Sequence, residues 1–239
     1  MNIGLSNIQA VEKQADKIIA VCRHFSQRPL DELTCLYLGN LPNPMSERLA
    51  ANFKRVVVLD FFGIGPNAVS GYRQPNNIDY INSDRVIAAL ADDSADLVIC
   101  DRVYEHIPNS AELVSEIYRV LKYDGFCYFA ADNRYLLIDH HYSLPFLSWM
   151  PRPLASLYLR LAGRRGKYNL RLLSLRKLQQ LTGNFWRHDY TGLILENPEV
   201  FYGDDSAAWG RFVSHLPKFL YSLVYPLFPC WVWILTRKK

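Results

Sequence analysis

Residues 94–135 read SADLVICDRVYEHIPNSAELVSEIYRVLKYDGFCYFAADNRY, and this stretch decides the fold. Ala95 to Cys100 is a short apolar run of strand length. Ala111 to Leu121 carries apolar residues at 113, 114, 117, 120 and 121, the spacing of one helical face. Asn109 with Glu112 three positions later forms a capping box with Asn in the cap position. Lys122-Tyr123-Asp124-Gly125 then turns the chain into a second apolar run, Phe126 to Ala131. Strand, helix and strand in this order are the unit of a parallel, doubly wound sheet.

Upstream the same alternation continues. Val56 to Asp60 is continuously apolar up to its terminal acid, as a parallel strand covered on both faces requires. Leu33 to Leu38 reads as a strand ending at Gly39, and Ile78 to Ile81 as a third strand. Ile8 to Phe25 has the pattern of an amphipathic helix, and Ser46 to Phe53 is helical, with Asn43 a cap and Pro44 suited to its first turn. Gly63 to Asn77 is rich in Gly, Pro and Asn and reads as loop. Downstream the expectations are a helix near Ser174 to Leu181, a strand near Trp186 to Leu195, a helix from Phe212 to Tyr225 and a last strand at Trp231 to Leu235.

With 239 residues, half of them apolar and 21% charged, the chain suits one packed domain over 1–239 and excludes disorder, collagen and coiled coil. Five scattered cysteines without a C-x-x-C argue against a disulfide or metal framework and for a reducing, cytoplasmic compartment. The N-terminus has no basic region leading into an apolar core, so it does not read as a secretory signal. Phe219 to Leu235 is uncharged for seventeen residues, but Pro226 and Pro229 argue against a continuous membrane-spanning helix there. The net charge of +4 is uneven: His140 to His188 holds nine Lys and Arg and no Asp or Glu, so it carries +9 against −5 elsewhere.

Open parallel sheets bind ligands beyond the carboxyl ends of their strands. Those ends are Gly39-Asn40-Leu41, Asp60, Ser83-Asp84, Asp101-Arg102 and Asp132-Asn133. An Asp at one strand end is commonly a turn or helix cap; polar ends in succession point to a pocket. On residues 94–135, with Arg55 to Asp60 and Ile81-Asn82-Ser83-Asp84, the chain resembles the class I S-adenosylmethionine-dependent methyltransferases of the type 11 kind, over roughly residues 34 to 135. The resemblance implies a Rossmann-like three-layer sandwich, a seven-stranded, mostly parallel sheet and an insertion after the fifth strand, residues 136–173. It implies S-adenosylmethionine as cofactor, held beside Gly39 and Asn40, with Asp60 on the ribose hydroxyls, Asp84 near adenine and Asp101 at the fourth strand end.

The first loop departs from that family. Where the family has Asp-x-Gly-x-Gly-x-Gly, Tyr37 to Asn43 keeps only the first glycine, Gly39. A catalytically inactive scaffold or regulatory relative is therefore the competing reading. A nicotinamide-dependent oxidoreductase ranks third, because the dinucleotide glycine fingerprint is missing. His106 is expected to orient the loop after the fourth strand. His140 and His141 follow the fifth strand, where acceptors usually lie; either is a candidate general base, and two surface histidines are an even alternative. No metal-ligand set is expected.

Tyr142 to Leu173 interleaves Trp, Phe, Tyr and Leu with Arg and Lys, and Pro145, Pro151 and Pro153 exclude a long helix. It suits a lid holding an anionic acceptor, or a segment lying on an anionic membrane surface; nucleic acid has no recognised module to support it. The expectation is methylation of a small-molecule or lipid-linked saccharide acceptor by a cytoplasmic protein peripheral to the inner membrane face.

Overall fold

The computed structural model describes residues 5–39, 44–60, 75–82, 90–139, 141–164, 166–201 and 217–238. Seven strands form one sheet: β1 Thr34–Gly39, β2 Arg55–Asp60, β3 Ile78–Asn82, β4 Ala95–Asp101, β5 Leu121–Asp132, β6 Phe185–Asp189 and β7 Cys230–Arg237. Their order is β3-β2-β1-β4-β5-β7-β6, with β1 to β5 parallel and β7 antiparallel to both its neighbours. This is a Rossmann-like arrangement, as expected, with β2 one strand in from the β3 edge.

The continuous apolar runs place side chains on both faces, and helices cover each. On one face α1 (Leu5–Phe25) and α2 (Pro44–Ala50) bury Ala15, Ile18, Val21, Cys22 and Leu49 against Cys35, Val56, Val58, Leu97 and Ile99. On the other, α3 (Ser110–Val120) and α5 (Leu175–Leu181) bury Leu113, Ile117, Val120 and Leu178 against Leu36, Leu38, Val98 and Cys100. The Asn109 side chain accepts from the Glu112 N–H, the expected cap. Gly125 lets β5 approach β4: a Cβ there would meet the Asp96 carbonyl oxygen at 2.8 Å. The cysteines are all free, and Cys22, Cys35, Cys100 and Cys127 are buried.

Two expectations are corrected. The strand expected from Trp186 to Leu195 stops at Asp189, and α6 (Thr191–Glu196) follows. The Tyr190 N–H closes the last contact to Val232, Asp189 accepts from the Thr191 N–H, and the 190/194 spacing buries one helical face. The turn at Lys122 to Gly125 is absorbed into β5, whose register with β4 shifts between Ala95 and Leu97. The apolar C-terminus is the strand β7, preceded by α7 (Lys218–Val224). Among the described residues no helix is long and apolar enough to cross a membrane.

The segment after β5 packs a small core of its own. Leu136, Leu147, Ala155, Leu159, Tyr168, Leu170 and Leu172 cluster apart from the two sheet faces. Its helix α4 (Arg152–Leu161) fits between Pro151 and the left-handed Gly163.

Candidate active site

The parallel register aligns the strand ends on one edge. Gly39 pairs with Asp60 and Asp60 with Asn82, while Leu38 pairs with Cys100, so Asp101 follows at the level of Gly39. Asp60 is wholly buried. Gly39 is needed for a reason the sequence did not disclose: a Cβ there would lie 2.4 Å from the Tyr37 ring, which is itself buried. Asp101 accepts from Gln14 Nε2 of α1 at 3.0 Å through Oδ2, while Oδ1 lies 3.4 Å from Arg102 Nε and accepts no hydrogen bond among the described residues. Arg102 has the left-handed φ of 55°, a conformation that surrounding structure must hold in place. The Asp101 charge raises its guanidinium pKa further. Asn40, Asp84 and His140 lie outside the described residues.

The turn after β4 and the loop after β5 meet beside this edge. Glu105, wholly buried, accepts from His141 Nε2 at 3.0 Å through Oε1, and His106 Nε2 lies 3.7 Å from the same oxygen. Glu105 Oε2 has no hydrogen-bond partner among the described residues. Burial pushes the Glu105 carboxyl above the usual carboxylate range, against the pull of the His141 hydrogen bond. That bond raises His141 despite its own partial burial. Burial, then the charge of His141, lowers His106.

The turn that carries His141 is fixed by Asp139. One Asp139 oxygen accepts from the N–H groups of His141 (2.9 Å) and Tyr142 (3.0 Å), the other from the Tyr168 hydroxyl at 3.2 Å. Tyr168 also lines a cavity of ≈ 330 Å³ with Arg134, Arg152, Arg171, Met150 and Leu170. Among the described residues no Asp or Glu lines it. Arg171 ties it to the site: its N–H donates to the Glu105 carbonyl at 2.9 Å and its guanidinium to the Pro108 carbonyl.

Of the site residues expected from sequence, Gly39, Asp60 and Asp101 share one edge, and His141 joins Glu105 and His106 beside it. Glu105, Asp139 and the cavity arginines were not singled out. The available signal was the pair Glu105-His106 in one loop and Asp139 before His140-His141 in the other.

Residues 36–129 match a family described as a methyltransferase domain. No curated protein matches the chain. Among solved structures, 1,6-didemethyltoxoflavin-N1-methyltransferase of Burkholderia thailandensis, with its substrate and S-adenosylhomocysteine, is 12% identical at a TM-score of 0.53, covering 96% of this chain and 79% of that one. The N-methyltransferase NodS of Bradyrhizobium japonicum, with S-adenosylhomocysteine, is 11% identical at 0.52, covering 100% and 90%. The plantazolicin methyltransferase BpumL, with a substrate analogue and S-adenosylhomocysteine, is 14% identical at 0.55, covering 96% and 84%.

Proposed function

On the premise that the chain belongs to the class I S-adenosylmethionine-dependent methyltransferases, we propose that its acceptor is anionic and partly apolar, a glycan- or lipid-linked saccharide met at the face of an anionic membrane. The chain is a methyltransferase with S-adenosylmethionine as cofactor. The residues present suit that cofactor on its ribose side, where a buried Asp60 stands level with Gly39 and one Asp101 oxygen accepts no hydrogen bond among the described residues. We assign Gly39, Asn40, Asp60, Asp84 and Asp101 to it, and His141 with the neighbouring His140 to the acceptor. The cofactor supplies a methyl group on a sulfonium. The chain's own part is alignment of the nucleophile, which provides much of the acceleration in such displacements.

The single observation that carries the acceptor reading is the character of residues 136–173. They unite an arginine-lined cavity, with no acid among its described lining residues, with exposed apolar side chains: Leu137, Ile138, Phe146, Trp149, Leu154, Leu157 and Leu161 are all exposed. Leu154, Leu157 and Leu161 fall on one side of α4. Basic groups beside exposed leucines and a tryptophan suit a surface that is anionic and greasy at once. Each basic residue near such a surface contributes about 1 kcal/mol, screened by salt.

Co-sedimentation with vesicles tests this reading. Binding to vesicles containing phosphatidylglycerol, lost in high salt and on replacing Arg160, Arg164, Arg165 and Lys167 together, is the expected result. Equal partitioning onto neutral vesicles, or attachment indifferent to both changes, overturns it.

A further inference from the structure

We propose that Glu105, His106 and His141 form a binding site for one divalent transition-metal ion, which receives an oxygen of the acceptor. The inference deepens the reading above and rests on it for the position of the acceptor. Each residue offers one ligand atom, and the three atoms lie within 4.8 Å of one another. Ligands at zinc-like bond lengths sit about 3.0–3.5 Å apart. The observed separations of 3.0 Å from Glu105 Oε1 to His141 Nε2 and 3.7 Å to His106 Nε2 bracket that range. A small side-chain adjustment therefore converts one hydrogen bond and one looser contact on Glu105 Oε1 into a coordinating triangle.

A second, independent observation points the same way. Glu105 is wholly buried, yet its Oε2 accepts no hydrogen bond among the described residues. A buried carboxylate oxygen left without a donor is costly, and a cation that the carboxylate takes through both oxygens would meet that need. The support around the cluster resembles what metal ligands require. Asp139 accepts from the His141 N–H and is itself held by the Tyr168 hydroxyl, so the turn that delivers the imidazole is fixed before any ion arrives. Buried Asp132 and Asp139 add negative charge near His141, offsetting the basic segment beyond.

The donor set gives the class of ion and of ligand. Two imidazoles and one carboxylate suit zinc, manganese or iron(II) rather than calcium, and they leave coordination positions open. His141 keeps 38% of its side-chain surface exposed, so the cluster is reachable from solvent on its side. An oxygen donor, such as a saccharide hydroxyl, fits such a position.

The test uses the full chain, stripped with a chelator and titrated calorimetrically with Zn²⁺ and, separately, Mn²⁺; bound metal is then counted after dialysis. We expect one ion per chain in the wild type and none in His141→Ala or His106→Ala. His188→Ala, which removes a β6 histidine paired with Thr236 of β7, should retain the ion. Unchanged thermal melts of the apo variants would separate ligand loss from unfolding, and His141→Cys, which keeps a ligand atom, should recover part of the affinity. A wild-type chain that takes up neither ion, or a His141→Ala chain that binds as the wild type does, overturns the proposal. The same samples are titrated with S-adenosylmethionine. Cofactor binding without metal binding overturns the metal site alone, whereas metal binding without cofactor binding supports the metal site and overturns the methyltransferase reading.

Discussion

Strand β4 has a buried carboxylate near each end, and the protein treats the two in opposite ways. Asp96, at its start, is fully satisfied: Oδ1 accepts from Arg28 at 2.8 Å and Lys122 at 3.0 Å, and Oδ2 from the Thr34 N–H at 2.9 Å. Burial alone would raise its pKa, but the Thr34 N–H, Lys122 and Arg28 outweigh it and hold the carboxyl below its usual range. Glu105, four residues past the other end, has one oxygen shared between two imidazoles and one without a donor among the described residues, and its pKa is raised. The amino end of the sheet uses its carboxylate to clamp β1, β4 and β5 together. The carboxyl end keeps one in an incomplete environment, which is where a ligand has something to contribute.

The contrast is sharpest in stability. Asp96→Ala removes three donors' partner at once and should cost about 3 kcal/mol in urea unfolding, toward the lower end for broken buried pairs because Arg28 and Lys122 are partly exposed. The pH dependence follows in sign. A carboxyl depressed in the folded state stabilises above its unfolded pKa of about 3.9. That contribution disappears as pH falls through the lower folded value, so the wild type should lose stability below about pH 4 and Asp96→Asn should lack that acid limb.

A smaller effect is expected where the β4 loop enters α3. Asn109→Ala removes the cap on the Glu112 N–H and should cost about 1 kcal/mol, without altering cofactor titration. The smallest belongs to Glu105. Because one of its oxygens has no hydrogen-bond partner among the described residues, Glu105→Gln should stay within about 1 kcal/mol of wild-type stability while metal binding falls away. A cost equal to that of Asp96→Ala would break the contrast, since Glu105 would then be a structural clamp as well.

How much of this was readable in advance depended on range. The strands were legible because continuous runs such as Val56 to Leu59 bury both faces, and the Asn109 cap because its partner is three residues away. The 190–196 segment was misread because strand and helix readings both fit a short apolar run, and the choice was made by Val232, far along the chain. Asp60 and Asp101 stood out as strand ends. Glu105 did not: its burial, and the 36 residues separating it from His141, exist only once β4 and β5 are paired. Gly39 was visible, but its reason, the Tyr37 ring lying over it, was not.

Isothermal titration of the full chain with S-adenosylmethionine and S-adenosylhomocysteine tests the central claim most directly, that the carboxyl edge of this sheet is built for the methyl donor. The wild type should bind both, and Asp60→Ala should weaken binding by about tenfold to a hundredfold, the worth of hydrogen bonds to a charged group. Asn109→Ala, which changes only a helix cap, should bind as the wild type does. Absence of binding, or binding that Asp60→Ala leaves unchanged, would contradict the account.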